Sequence, residues 1–149
     1  MHDETDWYIC GPHPDHPGWL RWQFKDTTRF NGVFGDVRFR RDGDRAVVRI
    51  DTSHRLTNIV GVVHGGALMS FIDCSMFIGC YALGRTGAMK GLTVELSTQF
   101  LGVADAVRPI DAIVEISRET GRMVFMRGTV EQAGDAVSSF MGIMRKSGA

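Results

Sequence analysis

Hydrophobic and polar positions along the 149-residue chain follow two periods. From residue 92 onward the period is two. "GLTVELSTQF" sets Leu92, Val94, Leu96 and Phe100 against Thr93, Glu95, Ser97 and Gln99, and "IDAIVEIS" keeps Ile110, Ala112, Val114 and Ile116 in register. "MVFMRGTV" and "AVSSFMGIM" continue the pattern across the polar turns "ETGR" and "EQAGD". Alternation joined by short turns predicts an antiparallel meander rather than parallel strands with crossover helices. Upstream, "DVRFRRDGDRAVVRI" reads as a hairpin turning at Asp42-Gly43, a dipeptide that tolerates the dihedrals such turns need.

Between these strands, Gly65 to about Leu83 is the one long helix candidate. Its apolar residues, among them Leu68, Phe71, Ile72, Met76, Ile78 and Tyr81, cover most of the circumference, which predicts a nearly enclosed helix. Residues 1–34 form an N-terminal arm in which 19–30 reads as a short helix, anchored by Trp19, Trp22 and Phe30 and stable only when docked. The fold class expected is α+β, with a long central helix wrapped by five or six antiparallel strands over residues 35–149. A sheet with one face on the helix keeps a second face and an unpaired edge. At least a dimer is therefore expected, with Val37, Phe39 and the Met and Phe residues of the last two strands suggesting the hidden surface.

Charge and cysteine usage narrow the classes. Seventeen basic residues balance seventeen acidic ones at a pI near 7.0, so neither nucleic acid nor an anionic membrane is expected as the main partner. Cys10, Cys74 and Cys80 are odd in number and lack disulfide or zinc spacing. "MHDETDWYICG" has no apolar core of signal-peptide type, and Asp73 interrupts the longest apolar run, which is read as short of a membrane span. A cytoplasmic location is expected. His13 and His16 in "HPDHPG" have no acidic or cysteine partner at ligand spacing and are read as exposed loop residues, with no metal.

Familiar catalytic signatures are missing. There is no G-x-S-x-G, "GRTGAMKG" lacks Walker spacing, and "GVVHGG" is not embedded in a dinucleotide-binding unit. The informative stretch is "GVVHGGALMSFID" (residues 61–73), in which a helix opens on Gly65-Gly66 and then carries Asp73 on an apolar background. Bare N–H groups at a helix N-terminus suit a carbonyl oxygen that gains negative charge, although the same glycines equally permit a tight turn and close packing. Asp73 lies nine residues after His64, about 180° around the helix. The two cannot flank one small substrate within a single chain, so a shared site requires a second subunit. Asp73 can attack an acyl carbon, activate water, or simply accept backbone hydrogen bonds. Asn58 can donate to a carbonyl or water, His64 braces the loop, and Thr93 offers a hydroxyl that either orients Asp73 or belongs to ordinary strand surface.

The residues of "NIVGVVHGGALMSFID", namely Asn58, Gly61, His64, Gly65, Gly66 and Asp73, resemble the signature of the hotdog-fold thioesterases of the phenylacetate-pathway and THEM-like branch. The similarity runs over roughly residues 35–146, and it departs at Ile59, where the family commonly has proline. The resemblance implies a hotdog fold, dimers that often pair into tetramers, and hydrolysis of acyl-CoA thioesters, including short, medium and aryl-acyl ones. It implies that Gly65 offers its N–H to the thioester carbonyl, with Gly61 and Gly66 beside it. Asp73 of the partner subunit acts as nucleophile or general base, Asn58 holds the carbonyl or water, and Thr93 supports. No cofactor is expected beyond the coenzyme A of the substrate, whose phosphates need cations; Arg85, Lys90, Arg118 and Arg122 are the candidates by position. The alternatives are a hotdog-type enoyl- or hydroxyacyl-thioester hydratase and a non-catalytic acyl-CoA binding protein.

Overall fold

A computed structural model describes residues 7–148, so the first six residues of the acidic N-terminal stretch and Ala149 lie outside the described residues. Eight strands and one α-helix follow in chain order. They are β1 (Tyr8–Pro12), β2 (Leu20–Phe24), β3 (Val37–Asp42), β4 (Arg45–Ile50), α1 (Gly65–Ala82), β5 (Leu92–Phe100), β6 (Ile110–Glu119), β7 (Met123–Gln132) and β8 (Asp135–Arg145). The strands make a single antiparallel sheet in the order β1-β2-β3-β4-β6-β7-β8-β5, with β1 and β5 at its edges.

The sheet wraps α1, as the apolar circumference of the helix demands. Beyond Gly66 no residue of α1 is exposed, and Leu68, Phe71, Ile72, Met76, Ile78 and Cys80 are buried in the core. Gly79 permits the close approach to β6, because a Cβ there would lie 2.8 Å from Val114 Cγ1. Ser75, the buried hydroxyl of the helix, donates back to Phe71 O at 2.7 Å, so it carries no unmet bond into the core. Contrary to the expectation that this stretch is short of a membrane span, the 18 residues of α1 are long and apolar enough to cross one; half of the helix is buried within the protein instead.

Three expectations are corrected. Residues 19–30 are not a helix: Leu20–Phe24 is a strand paired with both β1 and β3, and a 3-10 turn follows at Phe30–Phe34. The three-residue spacing of Trp19 and Trp22 fits a helix, but alternation of Leu20, Trp22 and Phe24 with Arg21 and Gln23 fits a strand better. Of the proposed anchors, Trp22 is buried, Trp19 lies under the guanidinium groups of Arg40 and Arg49, and Phe30 is exposed. The arm therefore extends the sheet, giving eight strands rather than five or six.

Val37 and Phe39 are buried within the chain itself, with Trp22 and Tyr81 packed edge-on against Phe39. Met126, Phe140 and Met144 are likewise core residues. Met141 of β8 is exposed, as expected for the last strand, and further exposed apolar surface lies along β5 and its flanks, at Leu92, Val94, Phe100, Leu101 and Val103, and at the loop residues Ile59 and Val60.

The third correction concerns β5. Its predicted alternation is broken by a bulge between Thr93 and Glu95, which turns Leu92 and Val94 outward while Thr93, Leu96 and Thr98 are half-buried.

Candidate active site

The loop before α1 is held by Asn58. Its Oδ1 accepts the N–H groups of Val60 (3.0 Å) and Val62 (3.3 Å), and its own N–H donates to Val62 O at 2.8 Å. Gly61 closes this turn with φ +83, a conformation that L side chains rarely adopt. With Oδ1 committed to the backbone, the Asn58 amide presents its NH2 as a donor.

His64 is the N-cap of α1. Its Nδ1 accepts the Gly66 N–H at 2.8 Å, so the neutral ring carries its proton on Nε2. Gly66 is thereby satisfied. The Gly65 N–H has no acceptor among the described residues and stands at the positive end of an 18-residue helix. The exposed ring of Phe100 covers this position, 3.2 Å from where a Gly65 Cβ would lie. Asn58, His64, Thr57 and His54 line an open cavity of about 580 Å³ here.

Long-range bonds hold this segment in place. Val63 N–H donates to Ala104 O at 2.9 Å, and His64 N–H to Leu56 O at 2.7 Å. The 101–109 loop that supplies Ala104 is clamped by buried Gln132, which accepts from Asp105 N–H (2.8 Å) and donates to Arg108 O (2.8 Å). The backbone N–H and guanidinium of Arg108, with the N–H of Val107, hold the Asp105 carboxyl down at about 2. Gln132 escaped the sequence analysis because it reads there as one residue of a polar turn.

Asp73 occupies the other side of the helix. Thr93 Oγ1 donates to its Oδ1 at 2.5 Å, and Oδ2 has no partner among the described residues. The carboxylate lines an apolar cavity of about 220 Å³ with Cys74 and Phe77 of α1, the N-terminal aromatic residues and Asn31. Sequence reasoning missed Asn31, a half-buried amide with no hydrogen bond among the described residues; nothing in its local pattern marks it. Cys74 is chemically quiet, since burial pushes its thiol up to about 12 and the adjacent Asp73 charge adds to this. Burial pushes Cys80 up to about 12 as well.

Gly65, next to the cavity lined by Asn58 and His64, and Asp73, which lines the other cavity, thus stand apart on the same helix. They lie roughly 12 Å apart along the helix axis, at a rise of about 1.5 Å per residue. The structure brings Thr93 to Asp73, and Asn58 and His64 to Gly65 and Gly66. It does not bring the two groups together within one chain.

The four basic candidates cluster toward the C-terminal end of α1 with unequal freedom. Arg85 is paired with Glu119 at 2.7 Å, the Lys90 ammonium sits 5.9 Å from the Trp7 ring centroid, and Arg118 is exposed. Arg122 lines a cavity of about 480 Å³ with Arg145 and Lys146, two cations that the sequence analysis passed over. Lys146 also pairs with Glu119.

His13 does not behave as an exposed loop residue. It is buried, and its Nε2 lies 3.0 and 3.1 Å from the Asp36 oxygens, a partner that is 23 residues away in sequence. His13, His16 and Asp36 are close enough together to hold a cation. The surroundings oppose one. Nδ1 of His13 accepts Asp15 N–H, which leaves the Nε2 proton for Asp36, and the buried Arg38 guanidinium already bonds Asp36 at 2.7 Å and Asp51 at 2.8 Å. The cluster is a hydrogen-bonded clasp between the end of β1 and the start of β3, with Arg38 neutralising the Asp36 carboxylate.

A sequence model of the thioesterase superfamily matches residues 60–139. Among solved structures, the chain resembles the Escherichia coli PaaI protein from the phenylacetic acid degradation operon, with a TM-score of 0.67 at 19% identity, covering 79% of this chain and 83% of that one. It also resembles a hypothetical thioesterase from Streptococcus pneumoniae TIGR4 solved with coenzyme A (TM-score 0.68, 19% identity, 77% and 91% covered). Zebrafish thioesterase superfamily member 2 is similar too (TM-score 0.70, 15% identity, 82% and 89% covered). Comparison with curated proteins gave no match. At these identities the structural likeness establishes the hotdog fold.

Proposed function

The chain belongs to the thioesterase superfamily, and from that premise we propose that it hydrolyses acyl-CoA thioesters to a free acid and coenzyme A. The observation that carries this reading is the division of the reactive groups: an unshared Gly65 N–H at a helix N-terminus, and a Thr93-bound Asp73 in a separate apolar cavity. Each is half of an acyl-transfer site. A second copy completes both, so that Gly65 of one protomer works with Asp73 of the partner subunit. The unpaired edge of β5, with Leu92 and Val94 turned outward and Phe100 exposed over Gly65, supports association there. A dimer, or a pair of dimers, is the working assembly, and the cytoplasm the working location.

In this assembly the thioester carbonyl oxygen accepts the Gly65 N–H, with the Asn58 NH2 beside it for the same oxygen or a water. The partner's Asp73 either adds to the carbonyl carbon or removes a proton from a water that adds. The tetrahedral oxyanion collapses, the C–S bond breaks, and coenzyme A leaves as a thiolate that takes up a proton. On the covalent route, water then hydrolyses the acyl–aspartyl anhydride. His64 keeps Gly66 occupied and the loop in place, and Gly61 shapes that loop. Arg85, Lys90, Arg118 and Arg122, joined by Arg145 and Lys146, offer cations for the coenzyme's phosphates. The solved neighbour with coenzyme A supports this choice of thiol.

Thiol release from acetyl-, medium-chain, long-chain and aryl-acyl-CoAs, measured with wild type and Asp73→Asn, tests the reading. Turnover by wild type and a loss of about a hundredfold or more in the variant are expected. Equal turnover would remove Asp73 from the mechanism, and no turnover of any substrate would remove the activity. Crotonyl-CoA followed by absorbance separates hydration from hydrolysis.

A further inference from the structure

The superfamily match begins at residue 60, yet half of the residues that line the cavity at Asp73 lie far upstream of that point. Trp7, Tyr8, Trp22 and Phe24 of the N-terminal hairpin face Asp73 and Phe77 of the helix across it. Part of this wall is fixed by ring packing. Tyr8 and Trp22 stack at 4.0 Å with planes 9° apart, and Trp22 meets Tyr81 of α1 edge-on at 5.3 Å. The His13–Asp36–Arg38 clasp ties the far end of β1 to β3.

Resting on the thioesterase reading, we propose that the β1–β2 hairpin is the end wall of the acyl site and sets which acyl groups reach Asp73. The cavity, partly open in the single chain, holds about 220 Å³, less than the roughly 300–1,000 Å³ of sites that hold whole drug-sized ligands. In this assignment the hairpin side of the cavity admits a compact acyl group and blocks a long straight chain directed at Trp22 and Phe24. Five aromatic residues around it offer faces and edges to a flat ring, so compact ring-bearing acyl groups fit better than saturated chains of similar volume. Trp7, half-exposed and under the Lys90 ammonium, stands at the mouth of the cavity, while Phe24 is half-buried within the wall.

Steady-state kinetics of the full chain with butyryl-, benzoyl-, octanoyl- and palmitoyl-CoA test this, comparing wild type, Phe24→Ala and Trp7→Ala. Wild type is expected to favour benzoyl-CoA over palmitoyl-CoA by about tenfold or more in kcat/KM, and either variant to narrow that ratio by a similar factor, through KM more than kcat. Trp7 is half-exposed, so its variant keeps the test available if Phe24→Ala fails to fold. Palmitoyl-CoA used as readily as benzoyl-CoA by wild type overturns the proposal. So does an unchanged chain-length profile in both variants, with the thioesterase reading intact. Hydrolysis of none of the four overturns both readings together.

Discussion

Thr93 Oγ1 donates to Asp73 Oδ1 across 2.5 Å, and a bulge in β5 is what turns that hydroxyl toward the helix. In a regular strand carrying the alternation of "GLTVELSTQF", Thr93 belongs to the solvent face and Leu92 to the helix side. The inserted residue exchanges them, which gives Asp73 its partner and leaves Leu92 and Val94 outside. One irregularity thus serves both the candidate site and the candidate contact surface.

Thr93→Val keeps the shape of the side chain and removes the donor. A hydrogen bond to a charged group contributes about 1.5–3 kcal/mol, so kcat is expected to fall about ten- to a hundredfold with little change in KM. Thr93→Ser should restore most of the loss. Val and Ser variants with equal kcat would assign the hydroxyl to stability alone, a distinction that thermal unfolding of both would check.

Gly65→Pro separates the oxyanion donor from the fold. Proline is tolerated at the first position of a helix, and His64 already has the extended backbone (φ −64, ψ 136) that precedes proline comfortably. The exposed Phe100 ring can yield to the added atoms. Circular dichroism is expected to stay native, while thioesterase kcat falls roughly 10²–10³-fold through loss of one N–H.

Acid stability should depend on Asp36 and Asp105. Burial raises the Asp36 carboxyl, but bonds from His13 and Arg38 outweigh it and hold the group below 3.8. Asp105 is held at about 2. A lowered value in the folded state means stability present above the unfolded value of 3.8 and lost as the pH falls through the folded value. Asp105→Asn should therefore be less stable than wild type near pH 5, with the gap closing toward about pH 2. Asp36→Asn should behave similarly over a window starting at 3.8 and running downward. Thermal melts across this range would read both gaps, and a gap independent of pH would contradict the assignment.

Ala133 has φ +51 in the turn between β7 and β8 and is the one non-glycine residue with positive φ among the described residues. Left-handed backbone costs an ordinary L-residue about 1–2 kcal/mol. Ala133→Asn, whose side chain tolerates this region, is expected to raise stability by up to about 1 kcal/mol, seen as a higher unfolding midpoint in urea at unchanged slope.

What could be read before folding was local and periodic. The apolar circumference of 65–83 announced an enclosed helix, and period two announced β6 to β8. "HGG" marked an uncommitted helix N-terminus, although only the structure shows His64 taking the Gly66 N–H and leaving Gly65 as the donor. Features that escaped depend on partners distant in sequence or on a single added residue. Asp36 meets His13 across 23 residues, and Gln132 meets Asp105 across 27. The bulge at Thr93 has no signature in a pattern that alternates without fault. Residues 19–30 misled because two tryptophans three apart satisfy a helix, whereas the alternation of Leu20, Trp22 and Phe24 fits the strand that pairs with β1 and β3.

The hairpin joins the rest of the sheet through a short ladder, Leu20 to Phe39, Arg21 to Arg38 and Trp22 to Val37. The residues assigned to bond breaking all lie between 58 and 93, and none of them belongs to this ladder. On the proposed reading, discrimination and chemistry fall largely on separate stretches of one polypeptide. On that reading, substitutions in Tyr8–Pro12 and Leu20–Phe24 redirect which acyl groups are accepted without touching the helix, and a hairpin transplanted onto another hotdog scaffold carries its selectivity along as a cassette.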